Sequence, residues 1–522
     1  PDDGVDGISL IFDCGRECAG FLELDWECDE PGVTMEIHHG EHLDDCRVRS
    51  RILYARYIDT IHLGTGRHYF RHTMRRVGAR YLQLFILGMT RPLKLYYAGL
   101  SEQILPLPEA AKVKSPDAAE LRLLSLSART LQLCMHEHYE DCPWREQSLY
   151  AGDSRIQMLC GYYVWGNYDF AAASLELLAQ RYFDDCGYLS LCAPSGDNMT
   201  IASYSFIWIA AVREFVLFSG KIDFFTKPLI HQRVCQILER ALNRPLETLP
   251  GLYRAANDEQ LFRLDTGGRV WNFYEWCGEL ACDNRLEQSL YQAYLTEALN
   301  AAADLNHWAG FFDEAEKFQQ AADLLLQKTQ QLFWDDNHGC YTAFLPDTKQ
   351  DYYEHVQSMM LLNAAKLPLD RREKVYNALQ SRSLRPCTWY NWYYLAKAMV
   401  GGNATTRKNL LKRYHEEFER FAFNGATSLW EVASGGYAGR FGGSLCHGWT
   451  AIPAWFVGAL KLGVTPQEPG FRKFEIKPAF LDLCNDLEGE VPTPLGPITV
   501  AIHNRKVHFE APFGTEGTFV EL

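Results

Sequence analysis

The apolar period of this chain changes twice, and that change limits its fold more than any other feature. Over residues 1–105, F-L-E-L-D-W-E (21–27), V-T-M-E-I-H (33–38), Y-I-D-T-I-H-L (57–63), Y-L-Q-L-F-I-L (81–87) and L-K-L-Y-Y (93–97) alternate apolar with polar residues between Gly, Pro and Asp turns. Period two with β-branched and aromatic enrichment predicts strands, and many short strands predict a β-sandwich. P-L-P-E-A-A-K-V-K-S-P reads as a linker over 106–116. From 117 apolar residues recur three and four apart, as in Leu121, Leu124, Leu131, Cys134 and Met135. About twelve helical segments follow, near 117–135, 150–163, 168–183, 199–219, 222–243, 285–308, 311–333, 353–366, 370–381, 388–401, 403–420 and 447–461. The interval 244–284 lacks a helical pattern, and a loop that long inside a compact domain usually serves a function. Strand patterns return at 471–478, 498–504, 506–512 and 517–522, with a turn at Asn504–Arg505.

No short fixed repeat accompanies the helices, so a solenoid is disfavoured. The expected fold is a multidomain chain with an (α/α)6 toroid over 117–465. A β-sandwich over 1–105 and another over 466–522 flank it. The rival for the middle part is an irregular helical bundle.

Charge narrows the partners. Lys+Arg number 51 and Asp+Glu 66, a net charge of −15. That balance, with no basic stripe, argues against nucleic acid. No run approaches the roughly 20 apolar residues of a membrane span. The 16 cysteines are scattered; C-G-R-E-C (14–18) is the closest pair, and no C-x-x-C occurs, so most read as buried free thiols. H-E-H (136–138) is a weak metal signal and reads as helix-end surface. No metal or cofactor is expected. The chain opens on Pro1 with no signal-peptide pattern, which leaves the compartment open. Aromatic residues make up 13%, a level that suits both ordinary cores and sugar clefts, where flat rings pack on sugar faces.

The densest chemistry lies in D-C-P-W-R-E-Q-S-L-Y-A-G-D (141–153). A bland reading makes Pro143 the first turn of a helix, Asp141 its cap and Glu146 a first-turn acid. That leaves Arg145, Asp153 and the rings unexplained. In a sugar site the arginine donates rigidly, carboxylates accept from hydroxyls, and crowded acids keep one carboxyl protonated. A protonated carboxyl can then deliver a proton to a leaving oxygen. The second acid such chemistry needs is Glu431 in T-S-L-W-E (427–431), before the glycine-rich V-A-S-G-G-Y-A-G-R-F-G-G (432–443) and S-L-C-H-G-W (444–449). A third cluster, W-N-F-Y-E-W (271–276), reads as a buried aromatic plug or as part of a site.

D-C-P-x-R-E followed by G-D resembles the signature of the inverting α-L-rhamnosidases of glycoside hydrolase family 78. F-D-C-G (12–15), R-H-Y-F-R-H-T-M-R-R-V-G-A-R-Y-L-Q-L (67–84), L-F-W-D-D-N-H-G-C-Y (332–341) and the later W-E with S-L-x-H add support, in the family's order. The resemblance implies Glu146 as general acid and Glu431 as general base, with carboxyls roughly 6.5–9.5 Å apart if the anomeric centre inverts. It implies sugar contacts from Asp141, Arg145, Asp153 and His447, and stacking rings at Trp276 and Trp208. Trp144 and Tyr150, inside the motif, join the expected substrate contacts. It implies rhamnosylated glycosides or polysaccharides as substrate, no cofactor, and export to the periplasm or beyond, although the cysteine load favours the cytoplasm. Departures fall on sugar contacts: Leu149-Tyr150 replaces Gly-Trp, Glu275-Trp276 replaces Asp-Trp, and S-Y-S (203–205) stands where an aspartate is frequent. Alternatives are another (α/α)6 glycosidase, a phosphorylase, or a non-catalytic carbohydrate-binding relative. A phosphorylase needs an anion site that Glu431 would repel.

Overall fold

A computed structural model describes residues 7–52, 55–263, 267–347, 349, 352–362, 366–437, 442–483 and 486–522. The chain divides into two compact units that do not follow chain order. The first comprises Pro1–Leu107, Ser125–Ser148 and Asn424–Ala451; the second comprises Pro108–Leu124, Leu149–Phe423 and Ile452–Leu522.

The first unit is built on one antiparallel sheet in the order Ile58–His62, Thr34–Gly40, Gly66–Leu87, Gly7–Cys28, Lys94–Glu102. The strand patterns near 21–27 and 81–87 are parts of two strands of 22 residues each. These long strands stay paired because they bend, with register shifts between Asp13 and Cys18 and between Phe21 and Glu23. Gly20 has to be glycine, since a Cβ there would sit 2.3 Å from the Ser101 carbonyl oxygen. One sheet face packs a core of Leu22, Leu24, Trp26, Met35, Ile37, Leu82 and Leu84.

In the second unit, helices lie at Ala151–Val164, Tyr168–Gln180, Ala202–Ser219, Ile222–Thr226, Pro228–Leu242, Ser289–Ala309, Phe312–Leu332, Glu354–Leu361, Leu369–Ser381, Trp392–Val400 and Ala404–Phe418. The pattern expected over 222–243 is broken at Pro228, which starts a new helix at its first position. Residues 363–365, within the pattern expected to end at 366, lie outside the described residues. Helix Ala202–Ser219 is apolar enough to cross a membrane, yet 94% of it is buried, so it is a core helix. Between 244 and 284, the described structure is turns, isolated bridges, two short 3-10 helices and a two-residue strand, Val270–Trp271, paired with Thr200–Ile201. A polar knot fastens this helical core. Arg155 is 2% exposed and donates to Glu214 at 2.8 and 2.9 Å, to Glu297 at 2.6 and 3.1 Å, and to the Tyr394 hydroxyl at 2.9 Å.

The C-terminal strands form a four-stranded and a three-stranded sheet, with Phe474 of one 6.1 Å from Phe509 of the other, ring to ring. The expected turn is present: Asn504 and Arg505 take φ of 49° and 65° between the paired His503 and Lys506. The 106–116 stretch is more than a linker. Val113–Lys114 pairs with Glu488–Gly489 at the edge of the four-stranded sheet, as the alternation Lys112-Val113-Lys114 permits.

Candidate active site

The 141–148 segment forms a closed loop, and it does not begin a helix as the bland reading expects. Asp141 N donates to Ser148 O at 3.0 Å, and Ser148 N donates back to Asp141 Oδ1 at 2.9 Å. Asp141 therefore caps its own loop, not a helix. Gln147 supplies the bend with φ 54°, and its amide donates to the Pro143 carbonyl at 2.7 Å and the Arg76 carbonyl at 3.2 Å. The carbonyl of Asp141 also takes the Gly448 amide at 2.9 Å, so the loop is tied to the segment after Glu431. These bonds leave Arg145 and Glu146 at the turn.

Arg145 joins the two proposed catalytic acids. Its Nη2 lies 3.1 Å from Glu431 Oε1 and 3.0 Å from Glu146 Oε1, and its Nη1 donates to the Gly442 carbonyl at 2.9 Å. The two carboxylate oxygens share one nitrogen, so they are no further apart than the sum of those distances, about 6.1 Å. The pair is drawn together on one guanidinium. Burial opposes the charge on Arg145, but the adjacent Glu431 and Glu146 carboxylates outweigh it and bind its proton more firmly than usual.

The two acids differ in setting. Glu431 has a side chain 11% exposed, whereas that of Glu146 is 37% exposed. Glu431 is fixed at both oxygens: Arg145 takes Oε1, and Ser444 N donates to Oε2 at 2.8 Å. Its backbone is pinned too, since Glu431 N donates to Ser444 O at 2.9 Å and the Trp449 indole donates to Glu431 O at 3.0 Å. Residues 438–441 of the glycine-rich loop lie outside the described residues.

His447 is buried, with Nε2 3.8 Å from Asp141 Oδ2 and its ring centroid 3.8 Å from that of Trp449. Burial, then the charge of Arg145, pushes its pKa well below the ordinary histidine value, so the ring is neutral. Trp144, expected to touch substrate, instead packs into a small buried core with Ile52 and Tyr57, and its ring stands 5.3 Å from His42 and 5.1 Å from Tyr57. At 3% exposure it anchors the loop. H-E-H is accounted for within the unit. His136 Nδ1 bonds Glu140 Oε2 at 3.2 Å, His138 Nδ1 bonds the Tyr139 carbonyl at 2.8 Å, and Arg76 completes Glu140.

Asp153, Tyr150, Trp208 and Trp276 belong to the second unit. Asp153 is buried in the first turn of helix Ala151–Val164, near enough to the hydroxyls of Tyr204 and Tyr390 to disfavour their ionisation. Gly152 beside it lets those rings approach, because a Cβ would meet the Tyr390 hydroxyl at 2.2 Å. Tyr150 stands edge-on to Tyr204 with centroids 6.5 Å apart. Trp276 is 51% exposed and rests on Phe273 and Trp271, at 4.8 and 5.8 Å, so it presents a ring to solvent. Trp208 does not fit the stacking role. It is 0% exposed, and its indole donates to the Leu175 carbonyl at 3.0 Å, so no ring face is open to a sugar. Glu275 is a structural acid. It accepts from Thr388 Oγ1 at 2.6 Å, Asn391 Nδ2 at 2.8 Å and Trp276 N at 2.8 Å, and burial raises its pKa.

Two neighbours of Glu431 escaped sequence reasoning, Glu41 and Ser444. The local signal for Glu41 was only a strand end, H-H-G-E-H, hundreds of residues from Glu431. A cavity of about 320 Å³ in the same unit is lined by Glu17, Glu41, His42, Tyr81, Thr427 and Trp430, and by neither Glu146 nor Glu431. Among the described residues, one group has metal-binding dimensions: Asp117, His415 and Glu419, with donor atoms within 4.8 Å of one another. Asp117 Oδ1 already accepts from the Ala119 amide at 2.9 Å and His415 bonds Glu419 at 2.5 Å, which accounts for the group as a helix-end network. Every described cysteine is a free thiol.

Residues 108–460, about two-thirds of the chain, match the model of the bacterial α-L-rhamnosidase six-hairpin glycosidase domain. The chain belongs to the bacterial α-L-rhamnosidase family. The flanks match that family's concanavalin-like domain over 5–95 and its C-terminal domain over 463–520. The described helices thus belong to a six-hairpin catalytic domain, with sheet-rich domains on either side. No curated protein matches by sequence. Among solved structures, a family 78 rhamnosidase of Bacillus sp. GL1 is similar over 100% of this chain and 56% of its own, at 23% identity and TM-score 0.82. This chain therefore spans little more than half the length of that relative. A rhamnosidase from Klebsiella oxytoca, solved with rhamnose bound, is similar over 87% of this chain and 88% of its own, at 19% identity and TM-score 0.71. An α-L-rhamnosidase of Streptomyces avermitilis, solved with L-rhamnose, is similar over 98% and 48%, at 16% identity and TM-score 0.73. At these identities the likeness is one of fold.

Proposed function

We propose that this chain removes terminal α-L-rhamnose from a glycoside or polysaccharide by single displacement, with Glu146 as acid and Glu431 as base. The observation that carries the reading is the pair of unlike carboxyls held by one arginine. Glu431 is held at both oxygens, which suits a base that takes a proton from water. Glu146 is the more exposed acid, its side chain 37% against 11% for Glu431, which suits a group that reaches the substrate. In the step, a protonated Glu146 gives its proton to the glycosidic oxygen as the C1–O bond breaks. Water attacks C1 from the opposite face and yields its proton to Glu431. The attack inverts the anomeric centre and needs the carboxyls roughly 6.5–9.5 Å apart. The Arg145 bridge must therefore open when a sugar enters, exchanging Glu146 for substrate oxygens. Two relatives of the same fold hold rhamnose in their solved structures, which supports the choice of sugar. The buried Glu431 carboxylate also speaks against a phosphate subsite at that position.

The test is nitrophenol release from an aryl α-L-rhamnoside by wild type and Glu431→Gln, with proton NMR of the first sugar formed. Turnover that collapses in the variant, with β-L-rhamnose appearing first, is expected. Folded wild type without turnover would overturn the sugar assignment, and α-L-rhamnose as first product would overturn inversion.

A further inference from the structure

Glu41 follows strand Thr34–Gly40 and is 1% exposed. A buried carboxyl costs several kcal/mol unless its oxygens are well satisfied. Glu41 spends both oxygens on one short stretch. Ser444 Oγ donates to Oε1 at 2.8 Å, and Leu445 N donates to Oε2 at 2.5 Å. The amide of that same Ser444 holds Glu431 Oε2 at 2.8 Å, and Ser444 O takes the Glu431 amide at 2.9 Å. All of these residues belong to the first unit. A carboxyl offers two oxygens side by side, and even when protonated it accepts the Leu445 amide on one and exchanges a hydrogen bond with the Ser444 hydroxyl on the other. Without it, the Leu445 amide in a largely buried turn loses its carboxyl partner, Ser444 Oγ is left with the Cys446 carbonyl, and the turn that aims the Ser444 amide at Glu431 loses its anchor.

We propose that Glu41, supplied by the N-terminal sheet, is the positioning residue for Glu431, acting through Ser444. The inference rests on the reading of Glu431 as base. Glu41 touches no substrate; it sets where the base carboxylate stands. Burial raises the Glu41 carboxyl to about 8, so near neutral pH it adds little charge beside Glu431 and works through geometry.

The test compares Glu41→Ala, Glu41→Gln and Ser444→Ala with wild type. Glu41→Ala is expected to lower kcat by roughly tenfold or more with KM within about threefold, since a displaced base loses rate rather than ground-state binding. Glu41→Gln restores most of that loss, because its oxygen takes the Leu445 amide and its NH2 faces Ser444 Oγ. Ser444→Ala keeps the amide on Glu431 and falls between, and it serves if Glu41→Ala does not fold. Adding Ser444→Ala to Glu41→Ala costs nothing further. A folded Glu41→Ala with wild-type kcat, or one changed in KM alone, would overturn the proposal. Crystal structures of the same variants decide it independently of turnover: Glu431 Oε2 still on the Ser444 amide in Glu41→Ala refutes the positioning role. A wild type inactive on rhamnosides would sink the functional reading and leave that structural outcome standing.

Discussion

Replacing Arg145 by methionine tests the bridge at the centre of the site. Its three described partners, Glu146, Gly442 and Glu431, contribute unequally. The arm to Glu146 contributes about 0–0.5 kcal/mol, because that carboxyl is more than a third exposed and solvent screens the pair. The bond to the Gly442 carbonyl contributes about 1 kcal/mol. The arm to Glu431 dominates, since its removal strands a carboxylate 11% exposed. Breaking a buried pair from one side costs about 3–5 kcal/mol. Glu431 keeps the Ser444 amide on its other oxygen, which places the cost near the lower end. The total is about 4–4.5 kcal/mol. For a compact body of about 160 residues, as the first unit is, that lowers the unfolding midpoint by roughly 8–18 °C. Calorimetry should show one transition shifting while another stays, because two units need not unfold together. Glu431→Gln in the same background removes the stranded charge and should return about 2 kcal/mol, a coupling far outside the ~0.5 kcal/mol expected of independent sites. Additive single and double variants would refute the bridge.

Three further outcomes follow from the same geometry. Glu146→Gln should slow an unactivated natural glycoside by roughly 10²–10⁴-fold and a nitrophenyl glycoside far less, so equal losses on both would remove Glu146 as acid. Trp208→Ala should cost about 3–5 kcal/mol of stability as a core deletion. Trp276→Ala, at a half-exposed ring, should leave the midpoint nearly unchanged and raise KM if that ring meets substrate. The contribution of Glu41 to stability should fall as pH rises from about 4.5 toward 8. Buried Glu41 has its carboxyl raised from 4.5 to about 8, so the folded state binds the extra proton across that window. Glu41→Gln should flatten that slope. On the acid side, His42 is held down to about 4 by burial, so its protonation costs stability as pH drops below about 6.5.

The sequence carried the elements well and the long-range links poorly. Strand and helix periods reported the sheets and the helices because each is a local pattern read over ten or so residues. Glu146 and Glu431 stand out as candidates in the sequence because their neighbours are unusual. Trp208 was misjudged for the opposite reason: a tryptophan in an aromatic-rich helix looks the same whether its ring faces a sugar or the Leu175 carbonyl. The bland reading makes Asp141 a helix cap because Asp-x-Pro fits one. The loop closed instead because Ser148 seven residues later met the same carboxylate. Glu41 shows locally only as a residue at a strand end.

The role of the N-terminal sheet follows from those missing links. By sequence, residues 1–105 are a flank of a helical catalytic domain. In the structure the loops that carry Glu146 and Glu431 belong to the same compact unit as that sheet. Gln147 donates to Arg76 O, Tyr57 and His42 pack Trp144, Thr427 takes the Glu17 amide at 3.0 Å, and Glu41 holds Ser444 and Leu445. Gly78 permits the closest approach, since a Cβ there would lie 2.5 Å from the Pro143 carbonyl. A single added methyl group, Gly78→Ala, must therefore push the 141–148 loop away from the sheet or distort a strand. Loss of turnover in Gly78→Ala, with the helical transition unchanged by calorimetry, is expected if the sheet is scaffold for the acid and base. Full activity in that variant would mean the loops hold their geometry without it.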